Sequence, residues 1–86
     1  MPSAAFDTAA ADAKAFTKKP SDAQLLELYA LFKQATVGVN ETVRPGFLDL
    51  AGKAKWDAWT SKKELTPAQA EAAYIAYVAE LKKDFA

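Results

Sequence analysis

The segment SDAQLLELYALFKQATVG, residues 21–38, has the start signal, the periodicity and the stop signal of one complete helix. Ser21 can cap the helix N-terminus, and Gln24, three residues later, supplies the second half of a capping box. Gly38 is a residue type that commonly follows the last turn of a helix. We therefore predict that the second helix of the chain begins after Ser21 and runs to about Val37.

The apolar surface of this second helix is wider than one packing neighbour needs. A helix packed on one layer needs an apolar arc somewhat wider than about 100°, but here apolar side chains cover most of the circumference. The central stripe of this surface consists of Leu25, Tyr29, Phe32 and Thr36. Leu28 and Ala35 lie on one flank of the stripe, and Leu26 and Lys33 lie on the other. A protein core would not hold the unpaired ammonium of Lys33, whereas a bound anion would explain it. We expect part of this surface to face a ligand.

Three further segments show helical periodicity, and no segment has a strand pattern. Their predicted bounds are Ala4 to about Phe16, Asp49 or Leu50 to Lys62, and Pro67 onwards. Thr66 and Gln69 provide the N-cap and the capping-box partner of the last helix. The sequence thus predicts an all-α fold of four helices, with a long loop from Gly38 to Asp49 that crosses from one end of the bundle to the other.

The first and fourth helices have complementary apolar stripes. The small stripe of the first helix contains Phe6, Ala10 and Ala13, and the large stripe of the fourth contains Tyr74, Ile75, Val78 and Leu81. Because small side chains allow close approach of large ones, we expect these two helices to pack together although they are far apart in sequence.

Length and composition exclude several classes of protein. The 86 residues form one domain, and its formal net charge of +0 lacks the basic footprint of a nucleic-acid-binding protein. The chain has no cysteine and no histidine, which removes disulfides, thiol nucleophiles and the commonest metal ligand, so we expect no metal site and no cofactor. No segment resembles a leader or reaches the roughly 18 apolar residues of a membrane span. We expect a cytoplasmic protein without stable membrane insertion.

The sequence offers no catalytic residues. Ser21 and Thr66 are the candidate nucleophiles, but both are better explained as helix caps, and no histidine is present to act as a general base. We therefore expect that the protein is not an enzyme. A binding protein remains, and from the pattern alone the apolar groove could accept either a lipid tail or a helix of a partner protein.

Five motifs closely resemble the acyl-CoA-binding protein family. They are FDTAAADAKAF (6–16), YALFKQATVG (29–38), RPG (44–46), GKAKWDAW (52–59) and AYVAELKK (76–83), in the family's order and at matching distances. The resemblance implies that residues 1–86 are one acyl-CoA-binding domain, a bundle with an up, down, down, up arrangement. It further implies a carrier of long-chain acyl-CoA and not a catalyst. Enzymes that use acyl-CoA are candidate partners. We expect a monomer, because a neutral domain with a lipid cleft has no clear second interface.

The resemblance also assigns residues to the anionic part of CoA. Tyr29, Lys33 and Lys55 match the family residues that grip the 3′-phosphate, and Lys14 lies at the edge of the same site. The aliphatic stem of Lys55 can also lie against the adenine while its ammonium reaches the phosphate. Without the resemblance, these lysines would most simply be solvated surface residues.

The remaining assignments concern the adenine and the acyl chain. Phe32 and Tyr74 match the aromatic residues that border the adenine, although Tyr74 would also fit a packed core position. We assign Ala10, Leu25 and Leu26 to the acyl chain. Two departures from the family pattern are Phe32, where many relatives carry tyrosine, and Val39, where they carry an acidic residue.

Two predictions concern residues outside the ligand site. Trp56 and Trp59 are expected to be structural, since aromatic residues three apart are usually core and boundary residues of a bundle. Arg44 is expected to pin the long loop through hydrogen bonds to carbonyl groups rather than to contact the ligand.

Overall fold

The computed structural model describes residues 2–86, and in that range it contains four α-helices and no strand. The helices are α1 (Ala4–Lys14), α2 (Asp22–Thr36), α3 (Leu50–Thr60) and α4 (Pro67–Phe85). The prediction of an all-α, four-helix fold is confirmed. Met1, which the predicted domain of residues 1–86 includes, lies outside the described residues.

The predicted helix starts are present with their capping bonds. The hydroxyl of Ser21 accepts a hydrogen bond from the Gln24 N–H at 3.1 Å, and the Ser21 N–H donates to the Gln24 side chain at 2.8 Å. Thr66 and Gln69 form the same pair of bonds at the start of α4. Both capping boxes use only neighbouring residues, which is why the sequence predicted them.

Hydrogen bonds at the helix ends show that α1 and α4 are parallel. Near their starts, the Ser3 N–H donates to the carboxylate of Glu71. Near their ends, the Thr17 N–H donates to the Phe85 carbonyl at 2.8 Å. The first and last helices therefore run in the same direction, side by side.

Two more hydrogen bonds fix the direction of α2 and α3. Gln34, near the end of α2, donates from Nε2 to the carbonyl of Leu65, just before α4, at 2.9 Å. Trp59, near the end of α3, donates from Nε1 to the carbonyl of Gly38, just after α2, at 2.8 Å. Thus α2 is antiparallel to α4 and parallel to α3, and the predicted up, down, down, up arrangement is confirmed.

The first helix ends earlier than predicted. It stops at Lys14 instead of about Phe16, because the N–H groups of Thr17 and Lys18 both donate to the carbonyl of Phe85, at 2.8 and 3.1 Å. This partner lies at the other end of the chain, so the local pattern could not reveal it.

The second and third helices also end slightly before their predicted limits. The second ends at Thr36, with Val37 as its C-cap and Gly38 at a φ of 97°, a conformation that glycine adopts without steric cost. The third ends at Thr60, and residues 61–64 continue as turns rather than as the last helical turn predicted to Lys62.

The core confirms the predicted packing of α1 on α4. Its buried residues are Phe6, Ala9, Leu28, Leu31, Tyr74, Val78 and Leu81, with Ala10 and Ala13 packed against them. Helix α4 contacts both α1 and α2, and α3 packs on α2. Helix α2 therefore packs on α4 and on α3, whereas α1 packs on α4.

The long loop lies along α3 and is fastened to it by side chains. Trp56 donates from Nε1 to the Thr42 carbonyl at 3.0 Å, as Trp59 does to Gly38. The Asn40 amide donates to the Thr60 hydroxyl at 3.0 Å. The two tryptophans are structural, as predicted, and part of their role is to hold this loop.

Arg44 also fastens the loop, but not through the carbonyl groups that the sequence led us to expect. Its Nε and Nη2 each donate to a carboxylate oxygen of Asp57 on α3, both at 2.9 Å. This two-bond geometry matches the planar guanidinium to the carboxylate better than scattered carbonyl contacts would. The partner is thirteen residues away in sequence, beyond the reach of a local pattern.

The protonation state of Asp57 couples this ion pair to pH. The hydrogen bonds from Arg44 hold the pKa of Asp57 below its ordinary value. Because the pKa is lowered in the folded state, the contribution of the pair is present above the ordinary carboxyl pKa of about 3.9 and is lost as the pH falls through the lowered value. We expect an NMR titration of the Asp57 carboxyl carbon to have its midpoint below about 3.9. The Arg44→Gln variant should raise that midpoint, and equal midpoints in both proteins would contradict the assignment.

Candidate ligand-binding cleft

Three neighbouring depressions of the surface meet at Tyr29. The first, the α2–α3 groove, has a volume of about 340 Å³ and is lined by Asp22, Leu25, Leu26, Tyr29, Ala51, Ala54 and Lys55. The second, the aromatic pocket, has a volume of about 320 Å³ and is lined by Ala10, Ala13, Lys14, Leu25, Leu28, Tyr29, Phe32 and Tyr74. The third, the cationic pocket, has a volume of about 350 Å³ and is lined by Tyr29, Lys33, Thr42, Val43, Pro45, Gly52, Lys55, Trp56 and Trp59. The three depressions share Tyr29 as a lining residue, and together they are called the cleft here.

The ammonium groups of two lysines lie over aromatic rings that line the cationic pocket. Lys33 Nζ lies 4.9 Å from the centre of the Trp59 ring, and Lys55 Nζ lies 5.5 Å from the centre of the Tyr29 ring. Both distances are within the range of cation–π attraction, which holds each ammonium without neutralising it. The two lysines come from parallel helices and meet at the same pocket, as the resemblance to the family implied.

These ammonium groups have no carboxylate partner among residues 2–86. The salt bridges in that range belong to Arg44, Lys62 and Lys82, which pair with Asp57, Glu27 and Asp12. Lys14, at the mouth of the aromatic pocket, is likewise outside these pairs. The cleft therefore presents cations that are available to an anion.

The aromatic pocket has one exposed ring supported by two buried ones. Phe32 is 37% exposed, whereas Tyr74 is 4% and Phe6 2% exposed. The ring centres of Phe6 and Phe32 are 5.5 Å apart in a stacked arrangement, and those of Phe32 and Tyr74 are 5.8 Å apart, edge to face. Burial raises the pKa of Tyr74, which therefore stays neutral at physiological pH. Phe32 thus offers a fixed ring face to a planar ligand.

The residues assigned to the acyl chain do not all lie together. Leu25 lines both the α2–α3 groove and the aromatic pocket, but Leu26 lines only the groove and Ala10 only the pocket. The groove walls also include Ala51 and Ala54, which the sequence reasoning missed. Their three-residue spacing on α3 was the available signal, since it places both on one face of that helix.

The described residues show neither a candidate membrane span nor a candidate metal cluster. No helix between residues 2 and 86 has both the length and the apolar character needed to cross a bilayer. In the same range, acidic side chains do not gather in groups of three or more that could hold a metal ion.

Comparisons with known proteins show which family this chain belongs to. The sequence model of the family described as acyl CoA binding protein matches residues 3–78. The chain belongs to the acyl-CoA-binding protein family. This is a family of binding proteins and not of enzymes.

The relatives of this acyl-CoA-binding family member cover nearly all of its length. The acyl-CoA-binding protein homolog of Drosophila melanogaster is 50% identical over 86 residues, covering 100% of both chains. The acyl-CoA-binding protein homolog 1 of Caenorhabditis elegans is 57% identical over 76 residues, covering 88% of each chain.

Solved structures of the family share the fold. The crystal structure of acyl-CoA-binding protein 2 from Oryza sativa aligns with a TM-score of 0.89 at 39% identity, covering 93% of this chain and 89% of the other. The protein from Moniliophthora perniciosa aligns with a TM-score of 0.87 at 40% identity, covering 96% of this chain and 83% of the other.

Proposed function

We propose that this protein binds one long-chain acyl-CoA thioester and carries it as a monomer in the cytoplasm. The observation that supports this most is the meeting of three chemically different depressions at Tyr29. Acyl-CoA likewise carries three chemically different groups, namely anionic phosphates, a planar adenine and a hydrocarbon chain. A carrier must neutralise the first locally, stack on the second and remove the third from water.

The phosphates would bind at the cationic pocket. Lys33 and Lys55 reach it from different helices, and the Tyr29 hydroxyl can donate a further hydrogen bond. Lys14 would approach from the side of the aromatic pocket. Charge-assisted hydrogen bonds to phosphate are among the stronger polar contacts of proteins, so these residues should dominate the affinity for the head group.

The adenine would lie in the aromatic pocket against Phe32. Tyr74 borders that pocket but is almost wholly buried, so its main contribution is to support the Phe32 ring. Ala10, predicted to contact the acyl chain, lines the same pocket, and its small side chain leaves room for the base. We therefore propose that Ala10 contacts the adenine instead.

The acyl chain would lie in the α2–α3 groove. Leu25, Leu26, Ala51 and Ala54 give it apolar walls. Burial of each methylene contributes about 0.8 kcal/mol before the cost of ordering the chain, so chain length should govern affinity until the groove is filled. Enzymes that use acyl-CoA would then take the ligand from this carrier, which has no catalytic role of its own.

Isothermal titration calorimetry with a series of ligands tests this proposal. We expect acyl-CoA esters to bind more tightly as the chain lengthens, by at most about 15-fold for every two methylenes. Free CoA should bind by orders of magnitude more weakly, and a free fatty acid should bind least because it lacks the nucleotide. Equal affinity for all ligands would contradict the proposal, and no binding of any of them would favour a protein-interaction module that uses the same groove.

A further inference from the structure

The loop between α2 and α3 exposes an unusual amount of apolar surface. Its most exposed apolar side chains are Val43, Phe47 and Leu48, which are 90%, 77% and 85% exposed, and Leu50, the first residue of α3, is 73% exposed. These four residues are called the loop tip here. A domain of this size needs most of its large apolar side chains for its core, so their concentration on one exposed segment marks an interaction surface.

The loop tip is held in place by hydrogen bonds at both ends. On one side, Arg44 binds Asp57 through two hydrogen bonds of 2.9 Å. On the other, the Asp49 N–H donates to the Gly46 carbonyl at 3.0 Å, and the Asp49 carboxylate accepts from the Gly52 N–H at 2.9 Å. Because these bonds fix the backbone, the fold itself displays the apolar side chains toward solvent.

The loop tip also adjoins the ligand cleft. Val43 lines the cationic pocket together with Lys33 and Lys55. Leu50 is followed directly by Ala51, which lines the α2–α3 groove. A surface that covered the loop tip would therefore lie beside the openings of two of the three depressions.

We infer that the loop tip inserts reversibly into the surface of a phospholipid bilayer, an inference that rests on the proposed function. Four side chains expose a few hundred Å², less than the roughly 800 Å² per partner of a standard protein interface. A bilayer sets no such minimum, because exposed apolar side chains can enter the boundary between head groups and acyl chains individually. Docking would place the cleft beside the membrane, where acyl-CoA partitions through its hydrocarbon chain.

The residues of the loop itself give no preference for an anionic lipid surface. Glu41 and Asp49 are the acidic residues of the loop, and Arg44 is already paired with Asp57. The loop itself therefore lacks the cluster of basic residues that anionic lipids attract. Docking should depend on apolar insertion and should not require anionic lipid.

Flotation with phosphatidylcholine vesicles tests the inference. The unmodified protein should float with the vesicles, and the triple variant Phe47→Ser, Leu48→Ser, Leu50→Ser should bind at least about tenfold more weakly, since each change removes several methylenes from lipid. The control variant Val37→Ser, Val39→Ser changes residues that are 60% and 53% exposed and lie outside the loop tip. It should bind as the unmodified protein does, and circular dichroism should show the same helical content in all three.

Four outcomes would overturn the inference: no flotation of the unmodified protein, equal flotation of the triple variant, flotation that requires phosphatidylglycerol, or a dimer in sedimentation equilibrium that only the triple variant abolishes.

Calorimetry without lipid separates this inference from the proposed function. The triple variant should retain its affinity for acyl-CoA, because no changed residue lines the three depressions. If the unmodified protein binds acyl-CoA but not vesicles, only the docking inference fails; if it binds vesicles but not acyl-CoA, only the proposed function fails.

Discussion

Changing Lys33 and Lys55 together to alanine should lower the affinity for acyl-CoA by about 100- to 1,000-fold, because each lysine contributes roughly 1.5–2 kcal/mol through charge-assisted hydrogen bonds to phosphate. Both ammonium groups border the cationic pocket and are free of carboxylate partners among residues 2–86. The loss should be measured by calorimetry with a long-chain acyl-CoA. The loss of affinity caused by the double variant should be much smaller for an acyl ester of CoA that lacks the 3′-phosphate. That ligand already lacks the proposed partner of the two lysines.

A second double variant controls for the change in net charge. Lys63→Ala with Lys83→Ala removes two exposed lysines that line none of the three depressions. It should bind acyl-CoA nearly as the unmodified protein does, since distant surface charges are screened by salt. Both double variants should retain their helical content. Equal affinities of the two variants would refute the phosphate assignment of Lys33 and Lys55.

Truncation of Leu81 should destabilise the fold by about 2–5 kcal/mol, because Leu81→Ala leaves a cavity that the surrounding core can only partly fill. Leu81 is 3% exposed and belongs to the core that joins α4 to α1 and α2. The loss is a large part of the roughly 5–15 kcal/mol that stabilises a typical domain. Urea denaturation should therefore show a much lower midpoint with little change in slope.

The matched control is the same substitution at an exposed position. Leu48→Ala removes the same atoms from a side chain that is 85% exposed. It should change the free energy of unfolding by less than about 0.5 kcal/mol, as surface substitutions usually do. A midpoint for Leu81→Ala close to that of Leu48→Ala would show that α4 does not pack in the core as described.

The features that the sequence predicted well are those set by neighbouring residues. The capping boxes of Ser21 with Gln24 and of Thr66 with Gln69 join residues three positions apart, so both helix starts could be read directly. The side-chain periods of the first and fourth helices likewise predicted their packing. These are short-range properties of the helical backbone, and no knowledge of the rest of the fold was needed.

The errors concern groups that find partners far away in sequence. The first helix was predicted to reach Phe16, but it ends at Lys14, because the N–H groups of Thr17 and Lys18 donate to the carbonyl of Phe85 instead of continuing the helix. Arg44 was expected to bind carbonyl groups, but α3 brings Asp57 beside it. In both cases the competing partner exists only once the helices have packed.

For the candidate site, too, the sequence predicted single residues, and the packed helices decided which of them lie together. The sequence marked Lys33 as an ammonium among apolar residues, and the family motifs marked Lys55, but neither showed that the rings of Trp59 and Tyr29 would hold these groups at one pocket. The sequence also grouped Ala10 with Leu26, whereas the helices place them in separate depressions. That separation arises because Ala10 belongs to α1, which packs on α4, whereas Leu26 lines a groove with residues of α3.

By itself, the sequence determined where the helices start, which faces are apolar, and that the chain belongs with the acyl-CoA-binding proteins. Only the tertiary structure decided where the first helix stops, what Arg44 binds, and how the cleft divides into a groove and two pockets. The physical reason is one of range: capping and periodicity act over three or four residues, whereas hydrogen bonds, ion pairs and cavity walls join atoms that only the packed helices bring together.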